Sequence, residues 1–347
     1  MTRLNRSHRV FAMVVVASMM AFAVSVPSDP AGAQSVKPLV ELRAGTSTPK
    51  GDFLADGVDK FAEIVKQRSK GEIDIRVFYM SLGVEQQLAQ ATMSGSVDIG
   101  TISSGNSGRF TSAFLVYDLP FLFKKYENIL KVLETPEGKA LEQRAEKDLG
   151  VKYLYNMSYG LGRDIQTTKK QLRTPADIKG LKIRVLSTPV DLATFKAWGA
   201  NPTPVDWTQT FTALQQGVVD GEQISVGTII GAKHYEVVKH SIRLDWVAPF
   251  QTFFINDKKF ASLSPAHQKI LLDAGREAKA WQHRDIAERA QKMMHELTTK
   301  YGVQIYTPVP AEYAQWASIR EKVWEEVAEK QKSQIDLGLA KKLYDAQ

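Results

Sequence analysis

Arg184 sits in the alternating run Leu181-Lys182-Ile183-Arg184-Val185, whose apolar side chains face one way and whose cationic ones face the other. A guanidinium offers a rigid fork of donors that matches a carboxylate at two points. The end of a strand is where α/β sheets place ligands, although by position alone a solvated surface charge is the commoner occupant. Arg163, just after Gly160-Leu161-Gly162, offers the same chemistry or a structural ion pair. Trp207 precedes a helical segment and suits either a core or a ligand platform.

Other chemistry is thinly represented. The chain holds no G-x-G-x-x-G, no Walker-type phosphate loop, no H-E-x-x-H and no G-x-S-x-G. Gly160-Leu161-Gly162 is only a fragment of the first. There is no cysteine, hence no disulfide, thiolate metal site or cysteine nucleophile. His234, His240, His267, His283 and His295 never fall four apart on a shared helix, so a metal or catalytic pair has little support. The sequence implies no cofactor, and no residue set proposes turnover.

The elements that must position these residues alternate. Val40 to Ala44 reads as a strand and Gly51 to Gln67 as an amphipathic helix, with Leu54, Val58, Phe61 and Val65 on one stripe. Ile73, Ile75 and Val77 give a strand, Val84 to Met93 a helix and Val97 to Ile102 a further strand. After Gly150, Val151 to Tyr155 resumes the pattern. Thr174-Pro175-Ala176-Asp177 opens a short helix with a cap, a Pro and an acid in sequence. Leu181 to Val185 then reads as a strand and Thr208 to Gln216 as a helix. This order predicts largely parallel sheets covered by helices. From Ser264-Pro265 a helical segment runs without a clear break to Gly302. At ~55 Å it would exceed one small domain and cross between two.

The N-terminus carries Arg3, Arg6 and Arg9, an apolar run from Phe11 to Val26, and Ala31-Gly32-Ala33. That order is expected of a cleaved secretory signal peptide over residues 1–33 and of a periplasmic mature protein. Losing those residues lowers the formal charge from +7 to +5. The basic residues are scattered, which argues against a nucleic-acid partner.

Several ordered motifs extend across most of the remaining chain. They are Phe61-Ala62-Glu63, Ser69-Lys70-Gly71, Ser81-Leu82-Gly83, Leu119-Pro120-Phe121 and Gly162-Arg163. Asp177-Ile178-Lys179-Gly180-Leu181-Lys182-Ile183-Arg184-Val185 and Gly199 to Pro204 follow, then Ala213 to Gly221 and Phe254-Ile255-Asn256. In this order they resemble the substrate-binding subunits of tripartite ATP-independent periplasmic (TRAP) transporters, the dicarboxylate-binding family. The resemblance implies an α/β, two-lobe periplasmic binding protein fold with a long inter-domain helix. The expected division is 34–160 with 250–288 for one domain and 161–249 with 289–347 for the other.

It further implies that Arg184 grips a substrate carboxylate, with Arg163 as a second contact and Trp207 lining the pocket. Glu85 and Asn106 match polar positions of the first lobe, and Ser187 and Ile224 complete the expected substrate-binding set. The implied partners are a small organic carboxylate and TRAP membrane permease subunits. The chain departs from the family pattern at Gln209 and Phe211, where Glu-x-Tyr is usual, and at Ile224, where Asn is common. These changes point to a monocarboxylate with an apolar or aromatic body and away from four-carbon dicarboxylates. A binding protein of another transporter class, a sensor partner and a periplasmic enzyme are the competing readings.

Overall fold

A computed structural model describes residues 38–331 and 334–347. The expected signal peptide lies outside the described residues. The described residues form one compact unit built on two sheets. The first has the order β2-β1-β3-β10-β4, from β1 (Val40–Thr46), β2 (Ile73–Tyr79), β3 (Ile99–Ser103), β4 (Val151–Ser158) and β10 (Phe250–Asn256). The second has the order β11-β9-β5-β8-β6-β7. Its strands are β5 (Arg163–Thr167), β6 (Lys182–Val185), β7 (Asn201–Pro204), β8 (Gly221–Ser225), β9 (His240–Ile242) and β11 (Gln304–Tyr306).

The expectation of largely parallel sheets needs correcting. β1 is parallel to β2 and β3, and β6 to β7 and β8, but β10 and β5 each run antiparallel to both neighbours. The reason is connectivity. β5 and β10 follow the two short passages between the sheets and each enters its new sheet from the opposite end, whereas β11 returns to the second sheet by way of the long helix and runs parallel to β9. The two passages, residues 159–162 and 243–249, are hydrogen-bonded together. Arg163 N donates to Val247 O at 2.9 Å and Trp246 N to Arg163 O at 3.1 Å. Gly162 N donates to Asp245 Oδ1 at 2.8 Å. A β-carbon on Gly162 would meet the Asp245 backbone at 2.7 Å, so only glycine allows this close approach.

Helices cover both faces of each sheet. β10 shows the consequence. Phe253 and Ile255 enter the core beneath the helix Phe53–Arg68, while Phe250 and Phe254 enter the core that holds Phe114 and Trp324. A strand buried on both faces shows no polar alternation. The helix Phe53–Arg68 buries the expected Leu54, Val58, Phe61 and Val65, and Asp52 caps it by accepting from Leu54 N at 2.9 Å. The long helix spans Pro265–Thr299. It packs on the helix Phe53–Arg68 and β4 of the first half, and on the helix Val226–Gly231 of the second. Among the described residues no helix is long and apolar enough to cross a membrane.

His283, on this long helix, donates from Nε2 to the Asn156 carbonyl of β4 at 3.0 Å. Burial pushes its pKa down to about 4, from an ordinary value of 6.5. Between those values the unfolded chain binds a proton that the folded chain refuses, so stability is full above pH ~6.5 and falls as pH drops towards 4. The loss from this one group approaches ~3 kcal/mol. His283→Gln keeps a donor for Asn156 O and cannot titrate. Its melting temperature is therefore expected to fall less than that of the wild type between pH 7 and pH 4. Parallel falls would show that His283 does not drive acid destabilisation.

Candidate functional site

Arg184 lies in β6 with Ile183 and Val185 turned towards Trp198 and Phe195 of the adjoining core. It points away from that core, as the alternation requires, yet it is only 3% exposed. The surface-charge reading is therefore corrected: the second face of the sheet is covered too, by the helix Trp207–Gln215. Arg184 Nε donates to Val205 O at 2.9 Å, which leaves the terminal nitrogens for other partners. Its guanidinium carbon stands 5.9 Å from the centre of the Trp207 ring. Burial lowers the Arg184 pKa, with Arg163 adding repulsion and Glu222, Asp191 and Glu85 opposing.

Arg163 opens β5 at the exit of the first inter-sheet passage. In the register Arg163 pairs with Ser225 and Ile165 with Gln223, while Arg184 pairs with Glu222. Paired residues share a face and successive residues alternate. Arg163, Gln223 and Ser225 thus lie on one face, and Arg184, Glu222 and Ile224 on the other. The two guanidinium groups reach the end of the sheet from opposite faces and line one pocket. Arg163 is 6% exposed. Its Nη1 is 3.8 Å from Asp191 Oδ1, an ionic contact too long for a hydrogen bond. Among the described residues this buried nitrogen has no hydrogen-bond partner.

The first half supplies the facing wall. Glu85 begins the helix Glu85–Ser94. Its carboxylate accepts from Ser103 N at 2.7 Å, Ser103 Oγ at 3.0 Å, Gln251 Nε2 at 2.9 Å and the Asn106 amide. Four donors satisfy it, so Glu85 acts here by fixing Asn106 and Gln251. Gln251 Oε1 accepts from Tyr159 Oη at 2.8 Å, and Asn106 Oδ1 from Gln86 Nε2 at 3.0 Å. Asn106 belongs to the short helix Ser104–Ser107. A β-carbon on its Gly105 would stand 3.4 Å from both Arg163 Nη2 and Asp118 Oδ2. Asp118, of the first half, therefore faces Arg163, of the second, across Gly105. Burial raises the Asp118 pKa to about 7, against the opposing pull of Arg163.

Of the seven residues singled out in the sequence, Arg184, Arg163, Trp207, Glu85, Asn106 and Ile224 line this inner pocket. Ser187 is exposed and lines an adjoining outer cavity, with Gln209. Phe211 lies outside both. It packs against His234, whose Nδ1 lies 2.8 Å from Glu222 Oε1 and whose ring lies 4.8 Å from that of Trp207. The apolar change at Phe211 thus does not reach the pocket, and the lining is more polar than the sequence departures imply. Leu54, Leu186, Ile224 and Trp207 form its apolar part, against Ser47, Thr48, Ser103, Tyr159, Gln223, Ser225, Thr228 and Gln251.

Sequence reasoning missed Gln223, Gln251, Tyr159, Asp118 and Asp191. All but Asp191 lie within three residues of a quoted motif, yet nothing in their type or spacing distinguishes them from ordinary surface polar residues. Among the described residues no cluster of three acidic or histidine side chains could hold a metal ion. The arrangement suits an anion entering between two buried guanidinium groups, since the neighbouring carboxylates Glu85 and Asp191 already accept protein donors.

Residues 44–331 match the family model described as bacterial extracellular solute-binding protein, family 7. The chain is 31% identical to the 2,3-diketo-L-gulonate-binding periplasmic protein YiaO of Escherichia coli over 268 residues, covering 77% of this chain and 80% of that protein. It resembles the crystal structure of a TRAP periplasmic solute binding protein from Shewanella oneidensis with bound succinate. The TM-score is 0.83 at 26% identity, covering 89% of this chain and 99% of the other. It also resembles the sugar acid binding protein DctPAm of Advenella mimigardefordensis in complex with galactonate. Here the TM-score is 0.81 at 27% identity, covering 89% and 98% of the two chains.

Proposed function

The chain belongs to family 7 of the bacterial extracellular solute-binding proteins, as a TRAP-type member, and on that premise we propose that it captures a small organic monocarboxylate in the periplasm and delivers it to a membrane permease. The observation that carries the carboxylate reading is the pair of buried guanidinium groups, Arg163 and Arg184, converging on one pocket from opposite faces of a sheet. The solved relatives above were determined with succinate and galactonate, both carboxylates. In this chain the ligand carboxylate takes Arg163 Nη1 and the terminal nitrogens of Arg184. Its body lies against Trp207, Leu186 and Ile224.

Capture works by closure of two lobes, one on each sheet, about the paired passages 159–162 and 243–249. A ligand that touches Glu85-anchored Asn106 on one side and Arg184 on the other gains its full contact set only when the halves meet, so it shifts the population towards the closed form. Closure also removes water, which strengthens the guanidinium–carboxylate pair. Micromolar capture needs about −8 kcal/mol. The closed form then presents a surface assembled from both lobes to the permease subunits.

Gentle purification of the mature protein, followed by denaturation and mass spectrometry of what it releases, tests this reading. A monocarboxylate near one per chain is the expected result. Emptied protein should regain ~4 kcal/mol of stability when that acid is supplied at about a thousand times its Kd. A released dicarboxylate would overturn the monocarboxylate assignment. An empty protein with no thermal shift across a broad organic-acid panel would overturn carboxylate capture itself.

A further inference from the structure

We propose that Gln223 selects among carboxylates by accepting, at Oε1, a hydrogen bond from a hydroxyl that the ligand carries close to its carboxylate. The inference rests on the carboxylate-capture reading and narrows it to hydroxycarboxylates.

Gln223 is 1% exposed and lines the inner pocket. Its Nε2 donates to Asp191 Oδ2 at 2.8 Å, and the same oxygen accepts from Leu186 N at 2.9 Å. A carboxylate only accepts, so this contact sets the amide orientation: the NH2 group faces Asp191 and the carbonyl faces away. Among the described residues that buried carbonyl oxygen has no hydrogen-bond partner. The other amides of the pocket differ. Gln251 Oε1 accepts from Tyr159 and Asn106 Oδ1 from Gln86. Gln223 is the pocket amide whose acceptor remains open.

Asp191 also explains what the ligand must place there. Its Oδ1 is the atom 3.8 Å from Arg163 Nη1, the buried donor that likewise has no hydrogen-bond partner. Arg163 and Gln223 share a sheet face, because Arg163 pairs with Ser225 and Gln223 is two residues along the same strand. Asp191 thus contacts both side chains, one bearing an unpaired cationic donor and the other an unpaired neutral acceptor, and both line the inner pocket. The complement of that pair is a carboxylate with a hydroxyl on a neighbouring carbon. A ligand without the hydroxyl would leave the Gln223 carbonyl desolvated and unpaired, the situation sites use to reject deoxy analogues.

The test is calorimetric titration with matched pairs: mandelate and phenylacetate, lactate and propionate, gluconate and 2-deoxygluconate. In the wild type the hydroxy member of any pair that binds is expected to bind at least about 10-fold more tightly. In Gln223→Met, which keeps the volume and removes the acceptor, that ratio should shrink to about 3-fold or less. Equal affinities within a pair in the wild type would overturn the role of Gln223 and leave carboxylate capture standing. An undiminished preference in Gln223→Met would do the same, pointing to another acceptor or a bound water. Failure of every acid to bind would overturn the capture reading and this inference with it. The wild-type comparison does not depend on how well the variant folds, and a melting curve of unliganded Gln223→Met checks that separately.

Discussion

Arg184→Ala is expected to bind the carboxylate ligand several hundred-fold more weakly than the wild type, while the unliganded protein melts at the same temperature or slightly higher. The two halves of that expectation share one cause. Arg184 is buried and its charged form is disfavoured by burial, while the attraction of Glu222, Asp191 and Glu85 opposes the repulsion from Arg163. Among the described residues its one protein hydrogen bond runs from Nε to Val205 O. The terminal nitrogens line the pocket and stay free to meet an anion. Taking one partner from a buried charge pair costs ~3–5 kcal/mol, so the loss falls on the complex. In the empty pocket, removing Arg184 relieves its burial and its repulsion with Arg163 and forgoes its attraction to Glu222, Asp191 and Glu85, so the effects on unliganded stability offset. Calorimetry gives the affinity and a melting curve gives the stability. Unchanged affinity would remove Arg184 from the site; equal losses of affinity and of unliganded stability would make its role structural. Arg184→Lys should recover only part of the binding, because an ammonium lacks the planar fork and stacks less well on Trp207.

The second large effect concerns stability. Trp198→Ala is expected to destabilise the protein by ~3–5 kcal/mol. Trp198 is 2% exposed and meets Phe195, Trp246 and Trp316 edge-on, with ring centroids 5.1, 5.8 and 5.2 Å away. Its Nε1 donates to Trp316 O at 2.9 Å. Truncation would open a cavity in a core of four large rings and orphan that carbonyl. The consequence should reach the site. Trp198 caps the C-terminal end of the helix Pro189–Ala197, and Asp191 near its other end faces Arg163 and Gln223. Denaturant unfolding measures the stability loss, and a fall in ligand affinity beyond that of a distant core variant would report the coupling. A loss below ~1 kcal/mol would mean that the aromatic cluster repacks around the gap.

Much of this is legible in the order of the amino acids alone. The stripe Leu54, Val58, Phe61 and Val65 predicted its helix because an amphipathic surface helix needs one apolar face. The caps at Thr174 and Ser264 marked where helices begin. The uninterrupted run after Pro265 showed a helix longer than a single domain. Arg184 was visible as a residue turned away from its apolar neighbours, and the ordered motifs identified the family. These are local or near-local properties, set by backbone geometry and by which side chains must avoid water.

The tertiary structure alone decided the rest. β5 and β8, Arg-Asp-Ile-Gln-Thr and Gly-Glu-Gln-Ile-Ser, are fully buried yet carry almost no apolar signal. Their polar side chains pair across space with Asp191, His234, Ser241 and Arg243, partners that no spacing along the chain can reveal. The direction of β5 and β10 depended on where the chain passes between sheets. Whether Phe211 reached the pocket depended on His234 lying beneath it. By itself the sequence determined the patterned helices and strands, the family and the cationic residues, because those follow from pattern and composition. Only the folded chain decided which carboxylates saturate one another and which donors and acceptors stay open. That balance arises where strand ends from distant parts of the sequence meet in a space too small for bulk water.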